Sequence, residues 1–148
     1  MKEHFEDKVR IVSAGADWNP SAYNADGVIE HLGMLPYKKT ADLYRKCHVG
    51  VAMMMTRHPS YLPFELMACG SLVVANDNRW NKWLLKNDEN CILSKPTVSC
   101  LSNDIIDALN DKARREKLAK SGSANILNNH SDWDKEFKGL LAKLSEIH

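Results

Sequence analysis

The residues best suited to chemistry are gathered in one short stretch: Arg57, His58, Ser60, Tyr61 and Glu65, punctuated by Pro59 and Pro63. A guanidinium offers a planar fork of donors to an oxyanion. The backbone N–H groups of Ser60, Tyr61 and Leu62 stand where a helix begins, and such groups lack intrahelical partners and favour an anion. Glu65 supplies the single carboxylate of the stretch, able to accept charge-assisted hydrogen bonds of about 1.5–3 kcal/mol each. Each residue also has a plainer reading. Glu65 in a first helical turn is favoured by the macrodipole by about 0.3–1 kcal/mol without any ligand, and Arg57 can be a solvated charge in a turn set by the two prolines. His58 has no orienting carboxylate assigned by spacing, which argues against a general base. The chemistry indicated is recognition of an anionic ligand.

The flanking elements must position these groups. Val49–Met55 is an uninterrupted apolar run of strand length and Leu72–Ala75 a shorter one, the pattern of strands covered on both faces in a parallel sheet. Parallel strands need a crossover helix. Pro63 suits its first turn, where a missing N–H costs nothing, and Gly70 suits a left-handed stop. The unit reads as βαβ, with residues 56–62 at the carboxyl edge where ligands of open α/β sheets sit.

Along the rest of the chain, residues 1–8 read as the end of a helix, Val9–Ala14 and Val28–Leu32 as strands, and Asp17–Gly27 as turns. Thr40 is the expected cap of a helix over Ala41–Cys47, with Leu43, Tyr44 and Cys47 on one face. Arg79–Lys86 carries two Trp and two Leu at helical spacing, and Cys91-Ile92-Leu93 is a last strand. Helices are expected over Asn103–Asn110, over Lys112–Ser121 with Gly122 as stop, and from Ser131 to about Ser145. The last has an apolar stripe of Trp133, Phe137, Leu140, Leu141 and Leu144. Alternating strands and helices predict one α/β domain over residues 1–148: three-layer, Rossmann-like, with a mainly parallel sheet of about five strands and a helical C-terminus.

Composition excludes other classes. Twenty basic against nineteen acidic side chains leave a charge of +1, so no global field recruits nucleic acid or an anionic membrane. No apolar run approaches the roughly 20 residues of a membrane span, and the first residues have no leader character. Cys47, Cys69, Cys91 and Cys100 form no C-x-x-C pair and read as free thiols of a reducing, cytoplasmic compartment, with no metal site.

Four blocks then bring a family into view: HLGMLPY, ADLYRKCHVGVAMMM, HPSYLPFELMACGSLVVAN and NKWLLKNDENCIL. In order and spacing, from about Val9 to Trp133, they resemble the C-terminal, donor-binding domain of GT-B glycosyltransferases, in the large retaining group that includes bacterial rhamnosyltransferases. Pro63 to Val74 looks like that family's P-x-E-x-x-A-x-G-x-x-V-V signature. The resemblance implies half of a GT-B fold and transfer of a sugar from a nucleotide diphosphate, with no cofactor and no metal. It implies that Glu65 accepts hydrogen bonds from ribose hydroxyls, and that the Ser60–Leu62 backbone and Arg57 face the diphosphate and its sugar. Gly33, Met34 and Tyr37 would face the base, where an aromatic ring can stack or merely fill a loop. Gly15 and Ala16, being small, would let the backbone approach phosphate.

The chain departs from the family pattern in three ways. Arg57 stands where the family's first glutamate would be. The family's first strand, which brings Arg and Lys to the diphosphate, is not represented, and neither is the N-terminal acceptor domain. The expectation is a nucleotide-sugar-binding domain, inactive alone, that works with an N-terminal GT-B domain in cis or in trans in polysaccharide or glycan synthesis. The alternative is a non-catalytic, degenerate GT-B-like interaction module; a flavodoxin-like signalling domain is disfavoured, because no acidic cluster stands at strand ends. An absent strand between Val9–Ala14 and Val49–Met55 predicts either direct closure into one five-stranded sheet or pairing of exposed edges in a homodimer.

Overall fold

The computed structural model describes residues 2–5, 8–57 and 60–146, so His58 and Pro59 lie outside the described residues. The chain divides into two compact units, Met1–Leu43 and Tyr44–His148.

In the first unit a short helix α1 (Lys2–Phe5) precedes β1 (Ile11–Ser13) and β2 (Ile29–His31), which pair in parallel with Ile11 opposite Ile29. Between them Pro20–Tyr23 makes a 3-10 turn, capped by the Asn19 side chain, which accepts the Ser21 N–H. Helix α2 (Tyr37–Lys46) starts four residues before the expected Ala41. The Pro36 carbonyl accepts the N–H groups of Lys39 and Thr40 at 2.8 and 3.2 Å. Thr40 is therefore inside the helix, its hydroxyl bonded back to Pro36 O, rather than at the cap.

The second unit holds the central βαβ. Strand β3 (Val49–Ala52), helix α3 (Leu62–Ala68) and strand β4 (Leu72–Asn76) follow one another, and β5 (Ile92–Ser94) pairs with β4 on its other side, all in parallel. All five residues of β4 are buried, as the apolar run required. The β3 run ends earlier than its apolar length, at Ala52, and Val51 is 42% exposed while Gly50 and Ala52 are buried, so this strand is not covered on both faces as its apolar run suggested.

The α/β class and the parallel pairing are thus as expected, but the five strands form two sheets, β1-β2 and β3-β4-β5. Direct closure into one five-stranded sheet is not formed. Strands of three and four residues offer only a few ladder bonds to a further neighbour.

Helix α3 has sequence-coded boundaries at both ends. Pro63 sits in its first turn and is buried. Its end is a Schellman motif: Gly70 N–H reaches Met67 O at 2.9 Å and Ser71 N–H reaches Leu66 O at 3.0 Å, with Gly70 at φ +83°. Two other glycines let neighbours close on it. A Cβ on Gly50 of β3 would lie 2.5 Å from the Leu66 methyl carbons, and one on Gly122 would lie 2.9 Å from Asn90 O and 3.2 Å from Met67 Cγ.

That contact explains a departure from expectation. Gly122 does not stop a helix; α5 (Lys112–Asn129) runs straight through it, because glycine is needed there for close approach. Helix α4 (Val98–Asn110) begins earlier than expected, since Thr97 Oγ1 caps the Cys100 N–H. Residues 79–86 are not a regular helix but a 3-10 turn, Arg79–Asn81, followed by turns. The buried Asn90 side chain takes both the Leu84 carbonyl (2.8 Å) and the Lys86 N–H (2.9 Å), groups that a longer helix would need. Finally α6 (Trp133–Ser145) is capped by Asp132, whose carboxylate accepts the Lys135 N–H at 3.0 Å, while the Ser131 hydroxyl bonds back to Leu127 O.

Candidate functional site

The carboxyl end of β3 is fixed by two asparagines. Asn76 at the end of β4 donates from Nδ2 to Met54 O (2.9 Å) and accepts the Met54 N–H at Oδ1 (2.7 Å), so its amide replaces a strand neighbour. Asn78 Nδ2 donates to the carbonyls of Met54 and Thr56, both at 3.1 Å. Neither residue was singled out from the sequence. The signal was a polar residue closing an all-apolar buried strand, since a buried amide must find partners.

Beyond this anchor, Arg57 is exposed at the loop. Ser60 and Tyr61 lead into α3, and Leu62 is its first residue. Ser60 N–H points at the Met54 sulfur (3.1 Å), and Leu62 N–H at Ser60 Oγ (3.2 Å). Both acceptors are weak or rotatable, so an arriving oxyanion can displace them. The Tyr61 ring is 70% exposed and sits 6.3 Å from the ring of Phe64, which in turn lies 5.5 Å from Trp83 and 5.7 Å from His130. Glu65, in the first turn of α3, is half-buried. The structure thus brings Ser60, Tyr61, Leu62 and Glu65 together at one helix start.

Burial, followed by the charge of Glu65, pushes the Tyr44 phenol above its ordinary pKa. Cys91 is fully buried, and burial pushes its thiol up to about 12, which leaves it an inert core residue.

In the first unit, Gly15 and Gly33 follow β1 and β2 and are joined by a 3.0 Å bond from Gly15 N–H to Gly33 O. Both have positive φ, +123° and +64°, and no atom lies within 4 Å of where a Cβ would be, so the peptide surface at these strand ends is open. Tyr37 is 82% exposed and belongs to the first turn of α2 rather than to the preceding loop.

Comparison with known proteins gives this geometry a family. A model of the WsaF C-terminal domain matches residues 1–106. The O-antigen biosynthesis protein RfbC of Myxococcus xanthus is 43% identical over 145 residues, which is 95% of this chain and 11% of that protein. Among solved structures, HepE of Anabaena in complex with UDP aligns at TM-score 0.78 and 20% identity over 95% of this chain and 42% of its own. A HepE complex with UDP-glucose aligns at 0.72, and sucrose-phosphate synthase of Thermosynechococcus elongatus at 0.75 with 22% identity over 87% of this chain and 33% of its own. The chain therefore spans well under half the length of these relatives, and at such identities the solved structures speak for a shared fold. Residues 1–106 of the 148 carry the family match, and the chain belongs to the WsaF C-terminal domain family.

Proposed function

We propose that this chain is the nucleotide-diphosphate-sugar-binding domain of a glycosyltransferase acting in polysaccharide or glycan synthesis. The observation that carries the reading is Glu65, a half-buried carboxylate in the first turn of α3 at the carboxyl edge of parallel strands. There it accepts hydrogen bonds from ribose hydroxyls. Ser60, Tyr61 and Leu62 turn their backbone toward the diphosphate and Arg57 meets its charge, so a metal ion has no assigned part. In the first unit, the open peptide surfaces of Gly15 and Gly33 suit approach of a ligand, and the exposed Tyr37 ring suits a base. The acceptor-binding part is supplied from outside these residues, in cis or in trans, and the chain alone is inactive. The open edge of β3, with Val51 exposed, is where a further strand or a second copy would pair. Four free cysteines favour a cytoplasmic setting, and among the described residues no helix is long and apolar enough to cross a membrane.

UDP is the probe of choice, since it is bound in the HepE structures. Calorimetric titration of UDP into the parent and Glu65→Gln, with melting temperatures of both, tests the reading. Loss of the charge-assisted acceptor should weaken UDP about 10-fold or more, equivalent to about 1.4 kcal/mol, with little change in melting. A Gln variant that binds as tightly as the parent sinks the ribose role of Glu65.

A further inference from the structure

We propose that Asn78 is the positioning residue for Arg57, fixing the peptide from which the Arg57 guanidinium reaches the diphosphate of a ligand. The inference rests on the nucleotide-binding reading above and deepens it.

The supporting bonds run outward from the sheet. Strand β3 ends at Ala52, so the peptide groups that follow have left the ladder and need partners elsewhere. Asn76 meets that need at Met54, taking both its N–H and its carbonyl, which is enough to finish the strand. Asn78 reaches further. An amide nitrogen carries two donors, and Asn78 Nδ2 lies 3.1 Å from Met54 O and 3.1 Å from Thr56 O. The Thr56 carbonyl belongs to the peptide that joins Thr56 to Arg57, so Asn78 holds the root of Arg57 directly.

The other end of the same amide is anchored. Asn78 Oδ1 accepts the Trp80 N–H at 3.0 Å and caps the 3-10 turn Arg79–Asn81. Its backbone continues the buried strand β4: Asp77 N–H still pairs with Ser94 O at 2.9 Å, and Asn78 is the next residue.

The two halves of the side chain do different work. Capping needs only an oxygen, and serine or aspartate supplies one as well. The two carbonyls need the amide nitrogen, which ties the capped turn to the loop that carries Arg57. Arg57 is exposed, and a long side chain on an unfixed backbone loses more freedom when its fork meets a phosphate. Holding the peptide before it removes the backbone share of that loss. Asn78 therefore acts through Arg57 without touching the ligand.

The test titrates UDP into the parent chain, Asn78→Ser, Asn78→Ala, Arg57→Ala and the double variant Arg57→Ala/Asn78→Ser, below the lowest melting temperature measured among them. Serine keeps a capping oxygen and loses the amide nitrogen; alanine loses both. Arg57→Ala should weaken UDP about tenfold. Asn78→Ser and Asn78→Ala should weaken it alike, by about three- to tenfold, although Asn78→Ser melts closer to the parent. In the Arg57→Ala background Asn78→Ser should have no further effect. If Asn78→Ser binds as the parent does, or if it weakens UDP equally with and without Arg57, Asn78 serves only the turn and the positioning role is overturned while the nucleotide site survives. An Arg57→Ala variant that binds as tightly as the parent overturns the inference and leaves Glu65 as the site's support. A parent that binds no UDP overturns the nucleotide reading and this inference together.

Discussion

Helices α3 and α6 carry the same kind of signal and meet different fates. In α3, Leu66 and Met67 are 3% and 0% exposed, held between β3, β4 and α5. In α6 the stripe of Trp133, Phe137, Leu140, Leu141 and Leu144 is better spaced, yet each of the five is more than half exposed. An apolar stripe states what a helix has to bury; it does not state where. For α3 the answer is local, because Pro63, Gly70 and two flanking strands leave the helix nowhere else to lie. For α6 no such neighbour is built into the adjoining sequence.

The contrast can be tested in order of size. Met67→Ala should cost about 2–5 kcal/mol, as full burial in a packed core implies, read from the denaturant midpoint; a loss below about 1 kcal/mol would mean that the α3 environment collapses readily. Gly70→Ala should cost about 1 kcal/mol. No atom lies within 4 Å of the added methyl, so the penalty is wholly that of the left-handed backbone, and an unchanged melting temperature would show that the helix stop relaxes. Leu141→Ser, at 63% exposure, should change stability by no more than about 0.5 kcal/mol. A loss comparable to that of Met67→Ala would break the comparison by showing that the α6 stripe is covered in solution.

What the sequence made legible follows from the range of the forces involved. The βαβ unit was readable because its signals are local: a continuous apolar strand, a proline at a helix start and a glycine at its end. The same glycine code misled at Gly122, where a neighbouring carbonyl and the Met67 side chain, distant in sequence, decide the residue. Thr40 and Ser131 were sound capping types displaced by better-placed acceptors, Pro36 O and the Asp132 carboxylate. At the candidate site, Glu65 was found from the motif, whereas Asn76 was not, because its partner Met54 lies 22 residues away in the chain, where no spacing rule reaches.

The two glycines that close on α3 carry a consequence for how such a site can change over generations. Gly50 and Gly122 let their neighbours approach α3 at Leu66 and Met67, the two residues after Glu65, and any larger residue there must shift the Leu66 side chain or the Asn90 carbonyl and Met67 side chain it would meet. A substitution at either would strain the packing of the helix that carries Glu65 without altering that carboxylate itself. On the reading proposed above, selection on the ligand can therefore act through side-chain volume at these two positions while the motif reads the same.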